Sequence, residues 1–295
     1  MKRILSLVLV LLMLLSMAAC GGETNEDVQK PADVSVNDDA GTKPEETEAP
    51  VAVKAEIAET VLVDEAGVKI TAKSFSEGDL FGPALKLLIE NNTDMDLTFQ
   101  IRNASVNGYM VETMLSVDVV AGKKANGELV FMAYDLEACG IETVADLEFS
   151  FNIFKTDDWE DYLNTEPIQV KTTVAENYEY SFDDSGEVAY EGNDLKIVVK
   201  GLLADDSVMG PSIVVYIENN SGQDVTVQAR GVSVNGFMVD PIFSTDVACG
   251  KRAVDAITFL SSELEENQSL RLKRLSFLSR FLILKVGKPS WIPKV

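Results

Sequence analysis

The sequence predicts an all-β protein built of two tandem β-sandwiches, and three observations carry that expectation. Short runs rich in Val, Ile, Leu, Phe and Thr recur along the chain, several alternating with polar residues as a half-buried strand does. Turn signals separate them, above all Asn107-Gly108 and Asn235-Gly236; Asn-Gly suits a type I′ hairpin because both central residues need positive φ. The chain also repeats itself. Leu87 to Phe131 matches Val214 to Phe259 at a spacing of about 128 residues. Ile89-Glu90-Asn91-Asn92 pairs with Ile217-Glu218-Asn219-Asn220, Ser105-Val106-Asn107-Gly108 with Ser233-Val234-Asn235-Gly236, and Gly122-Lys123 with Gly250-Lys251.

From the N-terminus, residues 1–19 read as an export signal. Lys2 and Arg3 form a positive start and Ile4 to Ser16 an apolar run too short for a confident membrane span. Met17-Ala18-Ala19-Cys20 follows, small residues before a cysteine, which is similar to the lipobox of bacterial lipoproteins. That resemblance implies diacylglycerol on the Cys20 thiol and cleavage before it; an ordinary secretory signal with a chance cysteine is the alternative. Two or more acyl chains hold a protein stably on a membrane. Residues 20–58 carry the lipidated Cys20 and an acidic tether with Pro31, Pro44 and Pro50 and few large apolar residues, a composition that stays disordered.

The first repeat spans 59–174. "VKITAKSF", "ALKLLIEN", "DLTFQIRN", "ELVFMAY" and "LEFSFNIF" read as strands, about seven per copy, with turns at Asn91-Asn92, Asn107-Gly108 and Ala121-Gly122. A short helix is expected at Asp135 to Cys139, with Asp135 capping it and Gly140 ending it. Residues 175–186 form an acidic linker. The second repeat, 187–273, is incomplete, and 274–295 is an aberrant basic tail.

A lipobox, an acidic tether and strands around an "IENN…D(L/V)T" turn resemble the immunoglobulin-like domains of uncharacterised Firmicute surface lipoproteins, over about Val61 to the end. The resemblance implies two tandem Ig-like β-sandwich domains held on the extracellular face of the cytoplasmic membrane. It implies no catalytic residue.

Composition narrows the function classes. The net charge of −23 disfavours nucleic acid, whose phosphates must be met by Lys and Arg, and electrostatic adhesion to anionic lipid. The chain has no histidine, so Ser-His and Cys-His nucleophile pairs are impossible. A carboxylate-only glycosidase stays formally open, but the acids cluster on linkers and loops. No cofactor motif occurs. Asp157, Asp158, Glu160 and Asp161 either gather Ca²⁺ or form a solvated acidic loop, and the D-x-D-x-D-G pattern is absent. Asn91-Asn92-Thr93 matches a glycosylation sequon but reads as a turn. Cys139 and Cys249 fall at non-equivalent places in the repeats, so they read as small apolar residues or free thiols rather than a disulfide.

The sharpest shared feature is "SVNGYMV" against "SVNGFMV". Asn107, Gly108, Tyr109 and Met110, with Asn235, Gly236, Phe237 and Met238, form either hairpin tips that grip a partner or turns flanked by core residues. The functional expectation is a non-catalytic binding or envelope-structural lipoprotein, its partner a cell-wall component or a protein. The alternative is an inhibitor or accessory subunit of a surface enzyme.

The tail reverses the chain's charge. From Asn267 to Val295 there are seven basic residues and no acidic one. Similarity between the repeats stops near Glu266. Codons chosen for Lys273 to Val295 and read two bases later give "EIELSVQVFDSESWETILDTEG", against "DLEFSFNIFKTDDWEDYLNTEP" from Asp146. A reading-frame shift is therefore expected, with loss of the closing strands and an exposed sheet edge; a basic amphipathic helix at a membrane surface is the competing reading.

Overall fold

Alternating sequence becomes paired strand almost wherever the pattern asks for it. A computed structural model describes residues 54–203, 209–266 and 283–287. The export signal, Cys20, nearly all of the tether and most of the tail lie outside the described residues.

The first copy contains β1 (Thr60–Glu65), β2 (Val68–Asp79), β3 (Gly82–Asn91), β4 (Leu97–Val106), β5 (Tyr109–Met110), β6 (Thr113–Met114), β7 (Ser116–Val119), β8 (Lys124–Phe131), α1 (Ala133–Ala138), β9 (Asp146–Lys155), β10 (Asp161–Asn164) and β11 (Ile168–Lys171). One sheet runs β1-β2-β3-β8-β6. In the other, β4 lies between β9 on one side and β7 and β5 on the other, and β10 and β11 pair with β9. Apolar residues of both sheets, including Ile70, Leu85, Ile89, Phe99, Phe131, Phe149 and Ile153, close on one buried cluster.

The second copy contains β12 (Glu187–Gly192), β13 (Leu195–Leu203), β14 (Ser212–Asn219), β15 (Val225–Arg230), β16 (Ser233–Val234), β17 (Phe237–Met238), β18 (Ser244–Val247), β19 (Arg252–Thr258), α2 (Ser261–Glu266) and β20 (Ile283–Gly287). The order β12-β13-β14-β19 reproduces β1-β2-β3-β8, and β18-β15-β20 reproduces β7-β4-β9. Ile197, Val215, Ile217, Val227 and Ile257 build its own buried cluster. The described residues are thus mostly β, in open sheets.

The "IENN" motif has one structural role in both copies. Asn91 is fully buried; its amide donates to Met95 O and Val119 O, each at 2.8 Å, while its carbonyl accepts from Thr93 N and Thr93 Oγ1. Asn219 repeats all four bonds with Gln223, Val247 and Ser221. A buried amide with every bond made ties the β3–β4 turn to the end of β7. It also leaves the sequon asparagine no free amide.

Three expectations need correction. The first copy holds eleven strands rather than about seven, because the turn-rich stretch from Tyr109 to Val119 and the segment after β9 add short pairings. Helix α1 starts at Ala133, and Met132 caps it without a side-chain bond. Asp135 lies inside the first turn, where its Oδ2 accepts from Glu112 N at 2.6 Å. Finally, the edge of β15 is not left open, since β20 pairs with it from Thr226↔Gly287 to Arg230↔Ile283.

Candidate functional site

The two Asn-Gly tips share a sequence and a backbone but not an environment. Asn107 and Gly108 have φ of 50° and 84°, Asn235 and Gly236 of 53° and 89°, as a type I′ turn requires. In the first copy Asn107 is buried, and its side chain holds the chain entering β9. Its amide donates to Thr143 O at 2.7 Å, and its carbonyl accepts from Ala145 N at 2.8 Å and Asp146 N at 3.1 Å. In the second copy Asn235 is exposed, and no described residue bonds its side chain.

Tyr109 does not display itself to solvent. It is 4% exposed and clusters with Val198 and Tyr216 of the second copy; Cys139, Ile141, Phe182 and Val254 pack around them. Its ring meets Phe182 edge-on at 5.4 Å and Tyr216 at 6.4 Å. Burial first, then the neighbouring Tyr216 and Cys139, pushes its hydroxyl up to about 12. Met110 packs against the second copy's core. The tip of the first copy grips a partner, and that partner is the next repeat.

Backbone and charge complete the junction. β5 lies beside β19 in parallel, with Arg252↔Tyr109 as partners, and Arg252 N donates to Gly108 O at 3.0 Å. The Arg252 guanidinium sits 3.7 Å over the Phe182 ring and bonds Glu218 Oε1 at 2.8 Å. Lys251 pairs with Glu148 across the junction at 2.8 Å. The linker is part of the same structure: Phe182 fills the interface, Tyr180 donates to Asp146, and Asp183 and Asp184 pair with Lys200 and Lys196 at 2.7 Å and 2.6 Å.

Among the described residues the second tip has no such cover. Phe237 is 50% and Met238 67% exposed, although β16 and β17 pair Val234↔Phe237 as β4 and β5 pair Val106↔Tyr109. Beside the junction, the copies leave a cleft of about 430 Å³ lined by Glu112, Tyr134, Asp135, Thr245 and Asp255. Two of its acids are already engaged: Asp135 caps Glu112 N, and Asp255 accepts from Thr245 Oγ1 and Ala256 N. Burial holds the Asp135 carboxyl above its ordinary value, and the Glu112 and Asp255 carboxylates add to this. Such walls favour cations and hydroxyls over anions.

The other candidates resolve differently. Asp158 turns back on Glu160 N, Glu160 pairs with Lys155, and Asp161 accepts from Asn152; Trp159 at the tip stacks on Phe154 at 5.2 Å. Among the described residues no three His, Cys, Asp or Glu are grouped to hold a metal ion. Cys139 and Cys249 are both free; Cys249 is exposed, and burial pushes the Cys139 thiol up to about 12. Sequence reasoning missed the acceptor residues Val198, Tyr216 and Val254. A signal was available for two of them: Val198 and Val254 are apolar where the first copy has Thr71 and Asn126. Comparison with known proteins finds no matching family model and no matching curated relative.

Proposed function

We propose that this protein is a non-catalytic binding or envelope-structural module, made of two Ig-like β-sandwiches and held on the extracellular face of the cytoplasmic membrane through a lipid on Cys20. The observation that carries the reading is the junction. Tyr109 and Tyr216 are buried between the copies, the half-buried Phe182 packs against them and Arg252 and Lys251 bridge the copies, so two modules are fastened into one stiff unit rather than strung as beads. A stiff pair on a long tether suits a task of reaching and holding. The export signal, the lipobox-like Cys20 and the absence of histidine support surface location and a non-catalytic role.

The bare Phe237–Met238 tip favours a protein partner, which keeps the accessory-subunit reading in play. Cys20→Ser in the full chain tests the anchor: the protein should leave the membrane fraction and lose palmitate labelling, and retention in that fraction would refute lipidation. Pull-down from envelope extracts against purified cell-wall glycan tests the partner class, with recovery on glycan alone counting against a protein partner.

A further inference from the structure

We infer that the Phe237–Met238 tip of the second copy is a docking surface for the outer sheet face of a further module of this same repeat class. The chain itself supplies the comparison. The first copy's tip, identical but for Tyr in place of Phe, is seated on such a face. The register defines that face: Val198 lies opposite Tyr216, and Tyr216 opposite Val254, an apolar row across three strands. One pair further along, Glu218 faces Arg252, whose backbone N–H meets the tip at Gly108 O. The apolar row takes the aromatic ring, and the sheet edge takes the turn's carbonyl.

The same register in the first copy reads Thr71 opposite Leu88 and Leu88 opposite Asn126, with Lys124 facing Glu90. The ion pair is retained, and the apolar row is mostly replaced by polar residues. The face that receives a tip has Val, Tyr and Val in this row; the equivalent face that receives none keeps Leu88 between two polar residues, Thr71 and Asn126. By the same logic a tip that receives nothing has little reason to keep Phe and Met in water, yet Phe237 is half exposed and Met238 more so. A second copy of this chain is not the occupant, because its one fully apolar row is already covered by Tyr109 and its other row carries the polar Thr71 and Asn126 on either side of Leu88. The occupant is a separate module presenting Val198-, Tyr216- and Val254-like residues beside an Arg–Glu pair. Such a contact joins unlike surfaces, so it extends an assembly in one direction. This deepens the module reading above but does not depend on the lipid.

The missing acceptor can be built into the chain. Thr71→Val, Leu88→Tyr and Asn126→Val together give the first copy the row that the second copy already has. The full chain carrying these three changes should associate head to tail. Its weight-average mass in sedimentation should rise at least about twofold over the wild-type value by about 100 µM, as a micromolar contact dictates. Adding Phe237→Asp should return it to the wild-type value. Leu88→Tyr alone, a change at one half-buried surface residue, should move the mass in the same direction by less and guards against a triple variant that fails to fold. Either folded variant sedimenting as wild type overturns the docking, as does association that survives Phe237→Asp. Membrane release by Cys20→Ser is unaffected by any of these outcomes, so failure here is separable from failure of the anchoring proposal.

Discussion

Truncating the two tip aromatics should have unequal consequences, although sequence treats them as equivalents. Tyr109→Ala removes a ring that is almost wholly buried and makes edge-on contacts with Phe182 and Tyr216. Removing a buried aromatic side chain costs about 3–5 kcal/mol, part of it from the cavity that remains and part from the aromatic pairs. Phe237→Ala removes a ring already half in water, and its cost should be about 1 kcal/mol or less. For a folded region of this size each kcal/mol moves the midpoint by a few degrees, so Tyr109→Ala should lower it by about 10 °C. The loss falls between the copies rather than within one, so the variant should also unfold in two steps. Calorimetry with urea titration reads both effects. Equal costs for the two substitutions, or a Tyr109→Ala variant within about 1 kcal/mol of wild type, would refute the claim that Tyr109 joins the copies.

Four further outcomes follow from the same geometry. Asn91→Ala and Asn219→Ala each delete four bonds and strand buried carbonyls, so each should cost about 2–4 kcal/mol in urea unfolding. Asn107→Ala breaks three bonds and places Ala at positive φ, costing about 3–4 kcal/mol, whereas Asn235→Ala carries only the backbone penalty of about 1 kcal/mol. The Asp183 carboxyl is held well below its ordinary value of 3.8 by its bond to Lys200 and by Ser185, so its stabilisation is complete above that value and is lost as pH falls below it; the stability gap between wild type and Asp183→Asn should therefore shrink on acidification, measured by urea unfolding at each pH. A thiol reagent at pH 8 should modify the exposed Cys249 quickly and Cys139 far more slowly, with the Cys139 rate rising on unfolding, because Cys139 is half-buried and its thiol is held protonated.

The strands and hairpins were legible because their causes are local. Alternation and Asn-Gly chemistry act over a few residues, and both tips adopt the predicted positive φ. The fate of the tips was not legible from the tips. Tyr109 is buried because of residues far away in sequence, Val198 and Val254, that meet its tip, whereas Phe237 is left half exposed. Comparing the repeats at outward-facing positions would have exposed it, since Thr71 and Asn126 are polar where those two are apolar. Helix α1 shows the reverse limit: Asp135 carries the right chemistry for a cap, but it caps Glu112, a long-range backbone group invisible to a pattern of neighbours. The acidic linker misleads for the same reason, its Phe182 being an interface residue set in a run that composition marks as spacer.

Burial in β9 also bears on the expected frame shift. Inside the first copy Leu147, Phe149, Phe151 and Ile153 are buried, and polar residues lie between them. The shifted peptide sets Ile, Leu, Val and Val at those four places, keeping every core position apolar. The encoded tail sets Leu275, Phe277, Ser279 and Phe281 there, a hydroxyl where Phe151 is fully buried, and Arg274 where Asp146 accepts from Tyr180. The strand observed beside β15 comes later still: Thr98 faces Phe154, so the repeat spacing would set Leu282 opposite Thr226, and the residue found there is Gly287. Backbone pairing of that kind is open to any segment that meets a free edge, and so says little about which sequence the edge was shaped to receive. Asn235 is the more discriminating witness. Its counterpart Asn107 spends both ends of its amide on the segment entering β9, and a segment able to satisfy Asn235 in the same way should bury it. Replacing residues 273–295 by the shifted peptide should therefore raise the stability of the second copy and make Asn235→Ala as costly as Asn107→Ala. If the two costs stay unequal in that chimaera, or if the gene downstream of Glu266 encodes no such peptide in another frame, the encoded tail is the native end of the second copy.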